Sequence, residues 1–197
     1  MKTRLVSLPD FKKAAGRNHD TPISFKQAEM KPTSFLVSWG REKTFCIKTY
    51  GCQANVRDSE ILRGYLLALG MKEQEDFDGA DLILFNTCAI RENAENHLYG
   101  ELGRAKETYL KNKDTIIAIC GCVMQEEKAV RYVLDHFNFV SLIFGTNNIT
   151  SFYSLLEDCL VHHEGIVDVK SNSDLIEEGF PEGKEGRESK VTAFVNI

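Results

Sequence analysis

The sequence DLILFNTC at residues 81–88 contains the pattern that decides the fold, an apolar run of strand length that ends in a cysteine. TFCIKTYGC at residues 44–52 and TIIAICGC at residues 115–122 repeat this pattern. A segment with helical spacing of apolar residues follows each run, and strands that alternate with helices are typical of βαβ units and a mostly parallel sheet. Because the strands are continuously apolar, we expect helices to cover both faces of the sheet.

The same alternation continues along the chain. It predicts a fourth strand over residues 141–144 and helices over 55–69, 91–111, 124–136 and 148–163. We therefore expect an α/β fold, in which an open, mostly parallel sheet lies between two helix layers as in flavodoxin-like and Rossmann-like proteins. A single domain of this kind would occupy residues 44–164.

The two flanks differ from this body in composition. Residues 1–43 have a net charge of +5 and no apolar period, and prolines interrupt any helix there. They predict a basic, largely disordered N-terminal extension. The acidic composition of residues 165–190 predicts a linker, and residues 191–197 form a strand-like run.

Composition limits the classes of function. The chain has 197 residues, a net charge of −5 and 43% hydrophobic residues, which is ordinary for a soluble globular protein. No apolar run approaches the ~18 residues of a membrane-spanning helix, and no secretory signal is visible, so we expect a cytoplasmic protein without membrane contact. Residues 44–197 carry a net charge of −10, which predicts weak or no nucleic-acid binding by this part alone.

The six cysteines fall into two groups of three. There is no C-x-x-C pair, which argues against a zinc ribbon or a thioredoxin-type redox motif, and a disulfide framework is typical of short secreted chains. Cys46 and Cys120 lie within predicted strands and Cys159 lies on the apolar face of a predicted helix. These three are predicted to be packing residues.

Cys52, Cys88 and Cys122 each lie between the end of a predicted strand and the start of a helix. The carboxyl ends of parallel strands share one edge of a sheet, and helix N-termini there favour thiolates, so the three sulfurs could converge. Three thiolates suit an iron–sulfur cluster with one iron left open, or a zinc site completed by His97 or His136. If they are only buried packing residues, the domain is a non-catalytic binding or scaffold module.

Residues beside these cysteines are candidates for supporting roles. Asn55, Asn86 and Arg91 could donate hydrogen bonds to cluster sulfides or orient the loops. The alternatives are helix capping or solvation and, for Arg91, an ion pair with Glu95. The glycines that precede Cys52 and Cys122 would allow a tight turn and close backbone approach. No catalytic residue is predicted within this chain.

Three motifs resemble the signatures of a known family. TYGCQAN at residues 49–55, NTCAIRE at 86–92 and GCVMQE at 121–126 resemble the N-terminal domain of the radical-SAM methylthiotransferases, most closely its tRNA-modifying MiaB type. KVTAFVNI at residues 190–197 resembles the run that leads into that family's radical-SAM domain. The resemblance covers residues 44–197.

The resemblance implies a function. Such enzymes add a methylthio group to an isopentenyl-type adenosine beside the anticodon of tRNA, and their N-terminal domain holds an auxiliary [4Fe-4S] cluster through three cysteines that correspond to Cys52, Cys88 and Cys122. A second [4Fe-4S] cluster and S-adenosylmethionine bind the radical-SAM domain, and a C-terminal domain helps to bind tRNA. Because this sequence stops where the radical-SAM domain would begin, we expect a fragment or truncated isoform that is inactive alone.

Overall fold

The structure is a computed structural model that describes residues 2–9, 24–27, 31–89, 93–171 and 175–178, of which the second and the last range are described by their backbone only. The strands, in chain order, are β1 (Thr3–Ser7), β2 (Ser24–Gln27), β3 (Thr44–Tyr50), β4 (Lys72–Glu73), β5 (Leu82–Thr87), β6 (Ile116–Cys120), β7 (Leu142–Phe144), β8 (Gly165–Asp168) and β9 (Leu175–Glu178).

The helices connect these strands. They are α1 (Ser34–Gly40), α2 (Gln53–Ala68), α3 (Ala94–Lys111), α4 (Glu127–His136) and α5 (Phe152–His162). Two 3-10 helices, Cys122–Gln125 and Thr146–Ser151, precede α4 and α5. In the part of the chain described, no helix combines the length and the apolar character needed to cross a membrane.

Seven strands form one sheet in the order β1-β8-β7-β6-β5-β3-β4, and all neighbouring strands run parallel. β2 and β9 form a separate parallel pair. From β3 the chain first moves outward to β4 and then crosses to β5 on the other side of β3. The direction of winding therefore reverses between β3 and β5, which is the topological switch point of a doubly wound fold.

Helices cover both faces of the sheet, as predicted. The side chains of consecutive strand residues point to opposite faces, so Leu84 packs in one core and Ile83 and Phe85 pack in the other. The first core contains α1, α2 and α5, represented by Leu36, Leu62 and Phe152; the second contains α3 and α4, represented by Leu98 and Val130. The predicted three-layer α/β fold is confirmed.

The flanks hold regular structure that the sequence did not predict. β1 pairs with β8, with Thr3 opposite Gly165, so the supposed N-terminal extension and the supposed linker each contribute one strand to the sheet. α1 is capped by Thr33, whose Oγ1 accepts a hydrogen bond from Leu36 N–H at 3.3 Å. Residues 1–43, expected to be largely disordered, thus contain β1 and α1 among their described residues. The strand-like run at residues 191–197 lies outside the described residues.

A buried carboxylate holds β1 against the sheet. Asp168, at the end of β8, is only 7% exposed and accepts hydrogen bonds from the Ser7 hydroxyl and from Asn148 Nδ2, the latter at 3.0 Å. Asn148 is fully buried, and its Oδ1 accepts a hydrogen bond from Lys170 N–H at 2.9 Å. Side chains from β1, β8 and the 3-10 helix after β7 are thus joined at the carboxyl edge.

Candidate metal centre

Cys52, Cys88 and Cys122 follow three adjacent parallel strands. Cys52 follows β3 and is the N-cap of α2, Cys88 follows β5, and Cys122 follows β6 and begins a 3-10 helix. All three therefore lie at the carboxyl edge of the sheet. Cys52 and Cys88 also lie on either side of the switch point, the place where open α/β sheets bind ligands.

Strand register brings Cys88 and Cys122 side by side. Asn86 of β5 pairs with Cys120 of β6, and each of the two cysteines lies two residues further along the chain, past the end of its strand. Cys122 Sγ accepts a hydrogen bond from Ala89 N–H at 2.9 Å and lies 3.8 Å from the carbonyl oxygen of Thr87. The sulfur is therefore held between the two residues that flank Cys88.

Cys52 is the third, more separate thiol. Its backbone N–H donates to Asn55 Oδ1 at 3.1 Å, and its Sγ lies 3.4 Å from the same oxygen. Across the described ranges, no three His, Cys, Asp or Glu side chains stand close enough to surround a single metal ion. Cys122 therefore lies against the loop that contains Cys88, while Cys52 lies against Asn55.

The electrostatic environment of Cys122 contains opposing influences. Burial raises the pKa of the Cys122 thiol, the hydrogen bond from Ala89 N–H lowers it, and interactions with Cys88 and Cys52 raise it. Cys88 is 1% exposed, whereas Cys52 and Cys122 are half-buried. An incoming group therefore meets Cys52 and Cys122 first.

Two buried asparagines tie the cysteine loops together. Asn55 Nδ2 donates to Asn86 Oδ1 at 2.9 Å and to the carbonyl oxygen of Thr87 at 3.3 Å. Asn86 Nδ2 donates in return to the carbonyl oxygen of Asn55 at 2.8 Å and to Ser59 Oγ at 2.9 Å. Since both side chains are almost fully buried, these bonds satisfy amides that would otherwise be costly to bury.

This network continues to Thr49, whose hydroxyl lies 2.7 Å from Ser59 Oγ. Sequence reasoning missed both hydroxyl residues. The only signal was the spacing of Ser59, which lies four residues after Asn55 and therefore on the same face of α2. The contacts of Asn55 and Asn86 orient loops, whereas bonding to cluster sulfides stays a prediction. Arg91 lies outside the described residues.

Two glycines permit the close approach of these loops. A Cβ atom on Gly51 would lie 2.2 Å from Asn55 Oδ1, so only glycine lets Asn55 reach the N–H of Cys52. Gly121 has a φ of +103°, and a Cβ there would lie 2.2 Å from the carbonyl oxygen of Thr87. The predicted reason for both glycines is therefore confirmed.

The other three cysteines are core residues, as predicted. Cys46, Cys120 and Cys159 are at most 3% exposed. Burial raises the pKa of Cys46 and of Cys159 to about 11, and it raises the pKa of Cys120 well above the usual thiol value. Thiols held protonated in this way are poor metal ligands.

The two histidines considered as zinc ligands lie in different places. His97 is in the first turn of α3, and its ring stacks on Tyr50 with centroids 6.0 Å apart. His136 is in the last turn of α4, and its Nδ1 lies 2.8 Å from the carbonyl oxygen of Tyr132. Because α4 runs back from the carboxyl edge, its last turn lies at the opposite edge, which excludes His136 from a site with the three cysteines.

Fold and site together define a class of protein: a doubly wound α/β domain that carries three cysteines at the carboxyl edge, two of them beside its switch point. The chain belongs to the family described as Uncharacterized protein family UPF0004, whose model matches residues 44–145 and thus includes all three cysteines.

Three curated relatives have the same name. A protein of Shouchella clausii (strain KSM-K16), named tRNA-2-methylthio-N(6)-dimethylallyladenosine synthase, is 39% identical over 189 residues, which cover 96% of this chain and 36% of the relative. Proteins of the same name from Staphylococcus saprophyticus and Staphylococcus aureus (strain JH9) are 44% and 43% identical over 158 residues, which cover 80% of this chain and 30% of each relative. The chain thus spans about a third of the length of these relatives.

Proposed function

We propose that this chain is the auxiliary [4Fe-4S]-binding domain of a tRNA methylthiotransferase, with Cys52, Cys88 and Cys122 as the cluster ligands. The observation that carries the proposal is the placement of three thiols at the carboxyl ends of three adjacent strands, beside the switch point. The name shared by the relatives supports a 2-methylthio modification of isopentenyl-type adenosine as the reaction of the whole enzyme.

The donor set suits a cluster. Iron–sulfur clusters are held by cysteine thiolates, and each thiolate binds a different iron, so the ligands spread around the cluster. Three thiols at the ends of three adjacent strands are compatible with this spread. The Ala89 N–H that already points at Cys122 Sγ is the kind of hydrogen bond that tunes such clusters.

A cluster bound by three cysteines would supply an iron that is open to an external sulfur ligand. The chain's own contribution is to position the thiols, through the interlocked amides of Asn55 and Asn86 and the close turns at Gly51 and Gly121. Buried Cys88 would anchor the cluster on its protected side, while half-buried Cys52 and Cys122 face the approach of a partner.

The rest of the reaction belongs to other parts of a longer protein. The proposal places S-adenosylmethionine and the second [4Fe-4S] cluster in a radical-SAM domain, and it assigns most of the tRNA contact outside this acidic body. It also places the enzyme in the cytoplasm. Under this proposal the present chain does not modify tRNA unaided.

Anaerobic reconstitution tests the proposal. With iron and sulfide, the chain is expected to bind about four irons and four sulfides and to become brown. Cys52→Ala, Cys88→Ala and Cys122→Ala are each expected to lose most of the iron, whereas the matched control Cys159→Ala, in the core, keeps it. Circular dichroism of every variant checks folding.

Two outcomes would count against the proposal. One is iron that persists unchanged in all three site variants. The other is a colourless wild-type protein that binds one equivalent of zinc and no iron, which would favour the zinc alternative.

A further inference from the structure

We propose that Cys88 and Cys122 form a reversible disulfide bond when the site holds no metal, and that Cys52 remains a free thiol. All six cysteines are reduced in the structure. The inference rests on the asymmetry of the site: Cys122 Sγ lies against the residues on either side of Cys88, whereas Cys52 lies against Asn55.

Register supplies the geometry for this bond. Cys88 and Cys122 lie two residues beyond Asn86 and Cys120, which are paired on neighbouring strands. Neighbouring strands are about 4.8 Å apart, which lies within the range of about 4.4–6.8 Å that a disulfide requires between its Cα atoms. The contacts of Cys122 Sγ with Ala89 N–H and the Thr87 carbonyl oxygen show that the two chain segments keep this approach beyond the strand ends.

Cys52 has a different environment. It lies two residues past the last β3–β5 pair, Tyr50 with Thr87, and is already the N-cap of α2. Its N–H and its thiol both lie against Asn55 Oδ1. These local contacts hold Cys52 at the start of α2.

The reaction is a thiol–disulfide exchange with a small disulfide such as oxidised glutathione. Half-buried Cys122 attacks as a thiolate, forms a mixed disulfide and releases one glutathione thiolate. Buried Cys88 then gives up its proton and attacks the Cys122 sulfur, which releases the second glutathione. Two protein thiols are oxidised and one glutathione disulfide is reduced to two glutathione thiols.

The oxidised pair would exclude the cluster, a consequence that rests on the proposed function. Two of the three ligands would be joined to each other and could not bind iron until a thiol reductant reopened them. The bond would also protect Cys88 and Cys122 from irreversible oxidation while the site is empty.

The test uses the full 197-residue chain, freed of metal and reductant and then incubated with oxidised glutathione. Titration of thiols under denaturing conditions is expected to fall from six to four. Non-reducing tryptic mapping is expected to show residues 73–91 linked to residues 114–128. Because Cys120 and Cys122 share the second peptide, Cys120→Ala is the matched variant that must keep the link.

Further variants separate the alternatives. Cys52→Ala is expected to keep the disulfide, whereas Cys88→Ala and Cys122→Ala lose it, with folding checked by circular dichroism. Iron uptake by the oxidised wild type should fall at least tenfold and return after dithiothreitol. A link that involves Cys52, or glutathione adducts without a link in the wild type, would overturn the inference and leave the cluster proposal intact. A correct link in a protein that takes up no iron after reduction would overturn the cluster proposal alone.

Discussion

The carboxyl edge of the sheet contains two polar centres. Both are built on buried asparagine side chains, but they differ in the groups that remain available. At β3, β5 and β6, the buried amides of Asn55 and Asn86 bind each other and the backbone, and the thiols of Cys52 and Cys122 stay partly accessible. At β7, β8 and β1, buried Asn148 binds the carboxylate of Asp168, which also accepts a bond from Ser7. We call these the thiol centre and the carboxylate centre.

The two centres differ in which of their polar groups remain available for further binding. The polar groups of the carboxylate centre satisfy one another, so its effect is to fasten β1 to the sheet. In the thiol centre the amides satisfy one another, while the thiols of Cys52 and Cys122 stay partly accessible, which the proposed function assigns to cluster binding. A buried asparagine therefore does not by itself mark a functional site. What distinguishes the two centres is whether reactive groups beside the hydrogen-bond network remain accessible.

Gly121→Ala is expected to disrupt the thiol centre and to cause the largest loss of stability among the substitutions considered. Its added Cβ would meet the Thr87 carbonyl oxygen at 2.2 Å, and alanine is strained at a φ of +103°. The free energy of unfolding should fall by about 3 kcal/mol, as measured by urea denaturation of the metal-free chain. Reconstituted iron should fall as well.

Gly100→Ala is the control for this substitution. Gly100 lies in α3, and a Cβ there would meet no atom within 4 Å. Alanine in a helix should raise the free energy of unfolding by about 0.5–1 kcal/mol. Equal effects of the two substitutions would contradict the role given to Gly121.

Asp168→Ala should damage the carboxylate centre and spare the thiol centre. It removes the acceptor for Ser7 and Asn148 and leaves buried donors unsatisfied, so the free energy of unfolding should fall by about 2 kcal/mol. Iron content after reconstitution should stay at the wild-type level. Loss of iron in a folded Asp168→Ala protein would show that the two centres are coupled.

An exposed ion pair offers the matched control for Asp168. Asp158 of α5 binds Arg4 of β1 at 2.7 Å with both side chains largely in solvent. Exposed pairs contribute little, so Asp158→Ala should change the free energy of unfolding by less than about 1 kcal/mol.

Asp58→Asn tests a smaller, pH-dependent effect beside the thiol centre. Burial raises the pKa of Asp58 to about 6, against the opposing charge of Arg57. A carboxyl with a raised folded-state pKa favours folding in its protonated form, so this contribution is full below about pH 4 and is lost as the pH rises through about 6. Relative to Asp58→Asn, the wild type should therefore lose stability between these two pH values.

Urea denaturation of the metal-free chain at a series of pH values would measure this difference. Asp114→Asn, at an exposed loop residue, is the control and should follow the wild type. A constant difference between wild type and Asp58→Asn across the pH series would contradict the assignment to Asp58.

The sequence predicted the central part of the fold because its strands are continuously apolar. β3, β5, β6 and β7 were all expected, as were the helices that cover them. β1 and β8 were missed because the sequence gives no local sign of their partnership. Leu5 and Val6 of β1 are more than half exposed, and the pairing that makes β1 a strand joins residues far apart in the chain.

The candidate site divides in the same way. The positions of Cys52, Cys88 and Cys122 at one edge follow from strand ends, which sequence patterns reveal. The contact between Cys88 and Cys122 depends on the register of β5 against β6, and the interlocked amides depend on that of β3 against β5. No spacing along the chain reports a register between strands, so these contacts were beyond sequence reasoning.

The pairing of β1 with β8 also sets an order of events during synthesis. Ser7 and Asp168 are 161 residues apart, so β1 cannot dock until β8 has also been synthesised. Contacts of such long range form slowly, because a large loop must close first. A nascent chain therefore carries β1 as an unpaired segment until β8 is made.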